Sequence, residues 1–220
     1  MGLFMEKKEV FAKEICFKKV FWIFMFGCLF GCIFEMLWHF INYGDWVSRK
    51  GVIYGPLNPV YGLGAVIFTL FLCKIKNPLT IFIGGMVLGG GCEYICSLFQ
   101  EEVFGTVSWN YENSFLNLHG RTSLFYMLVW GVLAIGYVKM VYPFLSKWIE
   151  RIPVRNGNVL TVVLAIFMVV NLSISLTACL RQEERNQGIP ADNSFEVFLD
   201  ETYPDKRLDE IFENSKKVSK

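Results

Sequence analysis

Charge is scarce in this chain. Lys, Arg, Asp and Glu make up 19% of its 220 residues while hydrophobic residues reach 54%. A soluble domain carries about a quarter charged residues, so the shortfall argues against one and points to lipid. The net charge of +1 leaves no basic excess to attract a nucleic acid. The seven cysteines are an odd number and form no Cys-x-x-Cys pair. Cys28/Cys32 and Cys92/Cys96 stand four apart inside apolar runs, as packing residues on one helix face do, and not as a disulfide framework or zinc site. Histidine occurs twice, as His39 and His119, without a helical Glu-x-x-His pair, so no metal is expected. A Gly-x-x-x-x-Gly-Lys-Ser/Thr loop is also missing, which excludes ATP binding of the Walker type. No Ser, Cys or His nucleophile constellation stands out, and no cofactor motif is found. The charged start through Lys19 precedes an apolar run too long for the core of a cleavable signal peptide.

What the chain has in abundance is long apolar runs. A bilayer core of about 30 Å needs roughly 20 residues of helix. Five stretches qualify, at 20–41, 60–73, 79–99, 123–145 and 159–180, the second being the shortest. They predict an all-α polytopic membrane bundle of about five transmembrane helices over 20–180. A cytoplasmic amphipathic segment (1–19) would precede it and a polar tail (181–220) would follow. Lys74 to Pro78 reads as a tight turn joining spans two and three. With the N-terminus inside, ten Lys and Arg residues near span ends face the cytoplasm against five outside, which favours that orientation in a plasma membrane. The tail can form short amphipathic helices around Phe195, Phe198 and Leu199, and around Leu208, Ile211 and Phe212. It would pack on the protein, lie at the membrane surface or dock a partner.

One constellation occurs twice. Span one carries Gly27, Gly31, Glu35 and His39 at intervals of four, and span three carries Gly85, Gly89, Glu93 and Ser97 at the same spacing. Residues four apart share a helix face, so each span presents a glycine groove leading to a carboxylate. Small residues at this spacing let helices pack closely. The repeat suggests two pseudo-symmetric hairpins plus one further span. A carboxylate within a span is costly, by about 2.5 kcal/mol or more at the bilayer centre, and is a functional suspect by default. Two readings stand: Glu35 and Glu93 line a functional path, or they are structural partners of Arg49 and Arg121.

The loops after spans one and three open on the carboxylate side. Gly55, Pro56 and Pro59 give the first a rigid, non-helical entry into span two. Such backbone either dips to membrane depth, where protein or a water-filled cavity must bury it, or forms an interfacial turn with Tyr54 and Tyr61 in the aromatic belt. Trp109, Tyr111, Asn117 and Arg121 in the other loop could line a site for a small polar or zwitterionic ligand, or anchor the loop at the headgroups. His119 reads as a hydrogen-bonded structural residue.

Glu35, the string Arg49-x-Gly51-x-x-Tyr54-Gly55-Pro56-x-x-Pro59-x-Tyr61-Gly62-x-Gly64, Glu93-Tyr94, Trp109-x-Tyr111, Asn117-x-x-Gly120-Arg121 and Trp130-Gly131 together resemble the ABC-transporter type IV family, also called CmpB-like. The resemblance covers roughly 22–143, and the tail through Tyr203-Pro204-Asp205 is similar to that of many bacterial members. The family's usual Trp-Asp-Tyr-Ser stands here as Trp109-Asn110-Tyr111-Glu112, so a role that needs the aspartate does not carry over. The resemblance implies a permease-like transport subunit working with a separate ATPase or other membrane protein. Against an ATPase partner, the expected cytoplasmic loops, 74–78 and 146–158, are short. A non-catalytic scaffold or sensor, or a membrane-embedded lipid-modifying enzyme, are the alternatives.

Overall fold

A computed structural model describes residues 9–217 of the chain. The first eight positions, with Lys7 and Lys8 of the expected N-terminal segment, lie outside the described residues, as do 218–220. The molecule is an all-α bundle with four two-residue strands. Helix α1 spans Phe17–Tyr43, α2 Pro59–Leu72, α3 Pro78–Phe104 and α4 Leu124–Gly136. A π-helical turn, Tyr137–Val141, leads from α4 into α5, Tyr142–Glu150, and then α6 runs Val154–Asn186. The tail forms α7, Ser194–Thr202, and α8, Asp205–Ile211. Strands β1 (Thr106–Val107) and β4 (Lys216–Lys217) pair antiparallel, as do β2 (Asn117–Leu118) and β3 (Thr122–Ser123).

Four helical segments, Phe17–Tyr43, Pro78–Phe104, Leu124–Glu150 and Val154–Asn186, are long and apolar enough to cross a membrane. Only 17–28% of the most apolar stretch of each is buried. The rest of these runs, including Phe34 and Ile41 of α1, Val87 of α3 and Ile166 of α6, faces outward as a lipid-contacting coat. Helix α2, with 14 residues, is about 21 Å long at 1.5 Å per residue, short of a full ~30 Å crossing.

The missing length is supplied by the segment before it. Val52, Ile53 and Leu57 are buried, and Val52 and Leu57 pack on Met25 and Cys28 of α1 and on Met168 of α6. The Asn58 amide donates to the Cys28 carbonyl at 3.0 Å, in the middle of α1. Asn171 of α6 clamps Tyr54 from both sides, its Oδ1 accepting from the amide at 3.1 Å and its Nδ2 donating to the carbonyl at 2.8 Å. Ser175, one turn on, accepts from the Ile53 amide at 2.9 Å. Non-helical backbone inside a bundle needs such partners, and two buried polar side chains of α6 provide them. Of the two readings of this loop, the one that dips into protein is what the geometry shows. Asn58 then caps α2 by accepting from the Val60 amide, and Pro59 takes the first helical turn, where it needs no N–H partner.

The two ends of the bundle differ. At the basic end Lys19 is fully buried and bonds Glu150 and Ser146, each at 2.6 Å, tying α1 to α5. Phe11 packs on Trp22 and Ile149 beside Gly157. At the opposite, loop end lie residues 44–58, residues 105–123 and the tail. Helices α1 and α3 are each 27 residues long and each stops at a glycine in the left-handed region, Gly44 (φ 83°) and Gly105 (φ 62°), a conformation that halts the helix without side-chain strain.

Candidate functional site

Two matched hairpins hold the site. A Cβ on Gly31 would overlap the Tyr61 ring, and one on Gly27 would lie 3.0 Å from the Gly62 Cα, so α1 and α2 touch backbone to backbone. In the second pair a Cβ on Gly89 would sit 2.6 Å from Trp130 Cβ, and one on Gly85 would lie 3.2 Å from the Gly131 Cα. Each outer glycine is thus the seat of an aromatic ring from the following helix, and each ring turns its polar atom to the carboxylate one turn on. Tyr61 Oη donates to Glu35 Oε2 at 2.6 Å, and Trp130 Nε1 donates to Glu93 Oε2 at 3.3 Å. The sequence spacing pointed at the glycines and carboxylates; the rings that complete the motif come from other helices.

From here the halves diverge. Glu35 is partly exposed and has a cation, Arg49 Nη1, at 3.5 Å. Arg49 Nη2 reaches His39 Nδ1 at 2.9 Å, and His39 Nε2 stands 3.4 Å from Asp45. Asn58 Nδ2 donates to the Arg49 carbonyl at 3.0 Å and fixes that residue's backbone against the mouth of α2. Glu93 is 7% exposed and receives three neutral donors: Tyr111 Oη and Thr122 Oγ1, each at 2.9 Å, besides Trp130. Arg121 does not pair with it. Its guanidinium donates to Glu101 at 2.6 Å and lies over the Tyr94 ring, which corrects the expectation of a Glu93–Arg121 couple.

The loop over α3 is built to deliver Tyr111. Asn117 Oδ1 accepts from the Gly120 amide while its Nδ2 donates to the Glu112 and Ser114 carbonyls. Trp109 Nε1 donates to the Arg121 carbonyl at 2.9 Å. Leu116 and His119 adopt positive φ without being glycine, a strained arrangement that clusters at functional loops. His119 Nδ1 meets Tyr94 Oη at 2.8 Å, the hydrogen-bonded role expected for it. Tyr111 stacks on Tyr126 with ring centroids 4.0 Å apart. Burial raises its phenol well above the ordinary tyrosine range, and the charges of Glu93 and Glu35 add to the rise. Tyr111 thus serves Glu93, as Tyr61 serves Glu35. Among the described residues, every buried side-chain polar atom without a partner lies at this end: His39 Nε2, Arg49 Nε, Ser97 Oγ, Arg121 Nε and Ser123 Oγ. The same residues contain no group of three or more His, Cys, Asp and Glu that could hold a metal ion.

Of the residues singled out from the sequence, Gly55 (φ 79°) and Pro56 shape the buried loop, and Tyr54 Oη pairs with Tyr203 Oη of the tail at 2.6 Å rather than with either carboxylate. Sequence reasoning missed Thr122, Ser123, Asn171 and Ser175. Asn171 and Ser175 carried a usable signal, since two polar residues four apart interrupt the most apolar span. The tail was also read too loosely. Arg181, 2% exposed, bonds Asp200 through Nε at 3.0 Å, and Arg185 bonds Asp200 and Asp205. Leu199, Tyr203 and Leu208 pack on Ile53 and Ala178.

Comparison with curated proteins and with solved structures gives no match. A family model does match, over residues 22–176. That segment runs from Trp22 in α1 to Leu176 in α6 and contains both hairpins, both carboxylates and both loops, so the chain belongs to the family described as Putative ABC-transporter type IV.

Proposed function

We propose that this membrane protein is a permease-like subunit, with its polar ligand path running between the two hairpins past Glu35, Arg49 and Glu93. The observation that carries this reading is that both hairpins hold a carboxylate, Glu35 and Glu93, at the one end where the buried polar atoms left unpartnered among the described residues lie. Charged groups inside a bundle are costly and are functional suspects by default, and close glycine packing holds one of them in each hairpin. The basic end is then cytoplasmic and faces the energising partner, an ATPase subunit, in a bacterial plasma membrane. The area offered there is small: residues 9–16 and the turns at 73–77 and 151–153. The scaffold alternative drew on an amphipathic tail that binds a partner, whereas Leu199, Tyr203 and Leu208 of that tail pack on the bundle itself.

Reconstituted vesicles containing the protein and the ATPase that co-purifies with it should show ATP-driven solute flux. Glu35→Gln combined with Glu93→Gln should abolish that flux with the complex intact; unchanged flux would defeat the path. Orientation is tested separately by exposed cysteines in a background lacking the native ones. Lys74→Cys should label only from the cytoplasm and Asn113→Cys only from outside, and the reverse pattern overturns the topology.

A further inference from the structure

We infer that Glu93, Ser97 and Ser123 form a binding site for a monovalent alkali cation, sodium or potassium, in the wall of the second hairpin. The inference rests on the reading of Glu93 as part of the ligand path, although its test needs no transport. Glu35 serves as the internal control. It sits on the same glycine-and-ring scaffold with Arg49 at 3.5 Å. Glu93 is more deeply buried, yet its three partners are all neutral and none of the described cations lies within 4.0 Å of it.

Trp130 Nε1–H can only donate, and the Thr122 and Tyr111 hydroxyls are able to, so the three partners can all serve an ionised carboxylate. The start of α4, beside Thr122, offers the equivalent of about half a positive charge, which leaves the balance unmet. A carboxylate that stays ionised in a dry bundle takes that balance from a paired cation.

The second observation is independent of Glu93. Ser97 is 1% exposed and Ser123 is fully buried, and neither hydroxyl has a partner. Ser97 stands one turn beyond Glu93 on the same face of α3. Ser123 follows Thr122, which bonds Glu93, and stands at the N-cap of α4 without using its hydroxyl to cap that helix. Glu93 Oε1 takes a single donor, so it keeps a lone pair free. Oxygen donors of this kind suit hard cations. One carboxylate with neutral hydroxyls matches a single positive charge, whereas divalent sites use several carboxylates, and no such group occurs among the described residues.

The test uses the full chain in lipid nanodiscs near neutral pH, with N-methylglucamine chloride holding ionic strength constant. Sodium or potassium chloride is titrated while tryptophan fluorescence and thermal unfolding are followed. One of the two ions should give a saturable quench or enhancement and a rise in unfolding temperature. Glu93→Gln should abolish both, Glu35→Gln should keep both, and Ser97→Ala should weaken the ion's apparent affinity at least about tenfold, the loss of about 1.4 kcal/mol. If Glu93→Gln does not fold, Ser97→Ala and Ser123→Ala decide the matter. An ion response of unchanged affinity in these variants overturns the site, as does a protein that answers to pH and not to either ion, which would put a proton on Glu93. Cation binding without ATP-driven flux would leave the site standing and defeat only the permease reading.

Discussion

Glu35 and Glu93 share a mechanical setting and differ in their electrical one. In both hairpins a glycine seats an aromatic ring, and the ring donates to the carboxylate one turn away. Around Glu35 the charge is answered within the chain by Arg49, and the pair stays partly exposed. Around Glu93 only neutral donors are found and burial is deeper. The shared part is therefore packing, which repeats because two hairpins need the same close contact. The unshared part is where a ligand's charge has a place.

The comparison breaks most easily at the packing. Gly31→Ala and Gly89→Ala each drive a methyl into the root of a ring, Tyr61 or Trp130, whose Cβ and Cγ cannot swing away. Each should cost about 3 kcal/mol, at the upper end for overpacking. A methyl on Gly64 or Gly91 meets nothing within 4 Å, so Gly64→Ala and Gly91→Ala should be neutral or stabilise by up to about 1 kcal/mol. Thermal unfolding in detergent reads all four. Equal behaviour of Gly89→Ala and Gly91→Ala would mean that the ring seats do not hold the hairpins.

Charge separates the halves next. Glu35→Gln leaves the Arg49 guanidinium with only His39 as a partner and weakens the Tyr61 bond. Stability should fall by about 1–2 kcal/mol at neutral pH, less than for a fully buried pair because both side chains keep some solvent. On the cation-site inference Glu93→Gln removes a buried charge that only the ion balances, so in buffer without alkali ions it should cost less than Glu35→Gln. The opposite order, measured under those conditions, would show that Glu93 is neutral in the folded protein.

The membrane bundle and the two Gly-x3-Gly-x3-Glu faces were legible in the sequence because hydropathy and four-residue spacing are local signals. The partners of those faces were not. Tyr61, Trp130 and Thr122 reach the carboxylates from α2, α4 and β3, and no spacing along α1 or α3 encodes that approach. Arg121 was matched to Glu93 by analogy with Glu35 and Arg49, yet the loop delivers it two turns further on, to Glu101. The 48–58 segment and the tail were ambiguous for one physical reason. Their backbone and charges are satisfied by side chains of another element, α6: Asn171 and Ser175 for the loop, Arg181 and Arg185 for the tail.

The tail gives a third comparison, between charge at the bilayer and charge beside water. Asp200 is held below the usual aspartate range, first by its hydrogen bond to Arg181 and then by Arg185. A carboxylate depressed on folding contributes stability that is complete above its unfolded pKa and is lost as pH falls through the lower folded value. Tail docking should therefore be unchanged from neutral pH down to about pH 5 and loosen only in stronger acid, near and below the aspartate range. Hydrogen exchange of amides 194–212 measures it, and Asp200→Asn should raise their exchange at neutral pH by an amount worth about 1 kcal/mol. Loosening already between pH 7 and pH 5 would assign the tail's attachment to some other group.

The smallest effect tests whether the tail is coupled to the buried loop or only rests on it. Tyr203 is 2% exposed, and its hydroxyl meets Tyr54 Oη at 2.6 Å while its ring packs with Ile53 and Leu208. Tyr203→Phe keeps the ring and deletes one neutral hydrogen bond, so it should cost only about 0.5–1 kcal/mol. If that bond joins tail and loop into one unit, exchange should rise in two places, at 199–208 and at 52–55, although the latter lie on the far side of the contact. Tyr54→Phe should reproduce the same two-sided pattern, and the double variant should cost no more than either alone. A rise confined to the tail would mean that Asn171 and Ser175 hold the loop by themselves, and that the ligand end of the bundle keeps its shape whether or not the tail is docked.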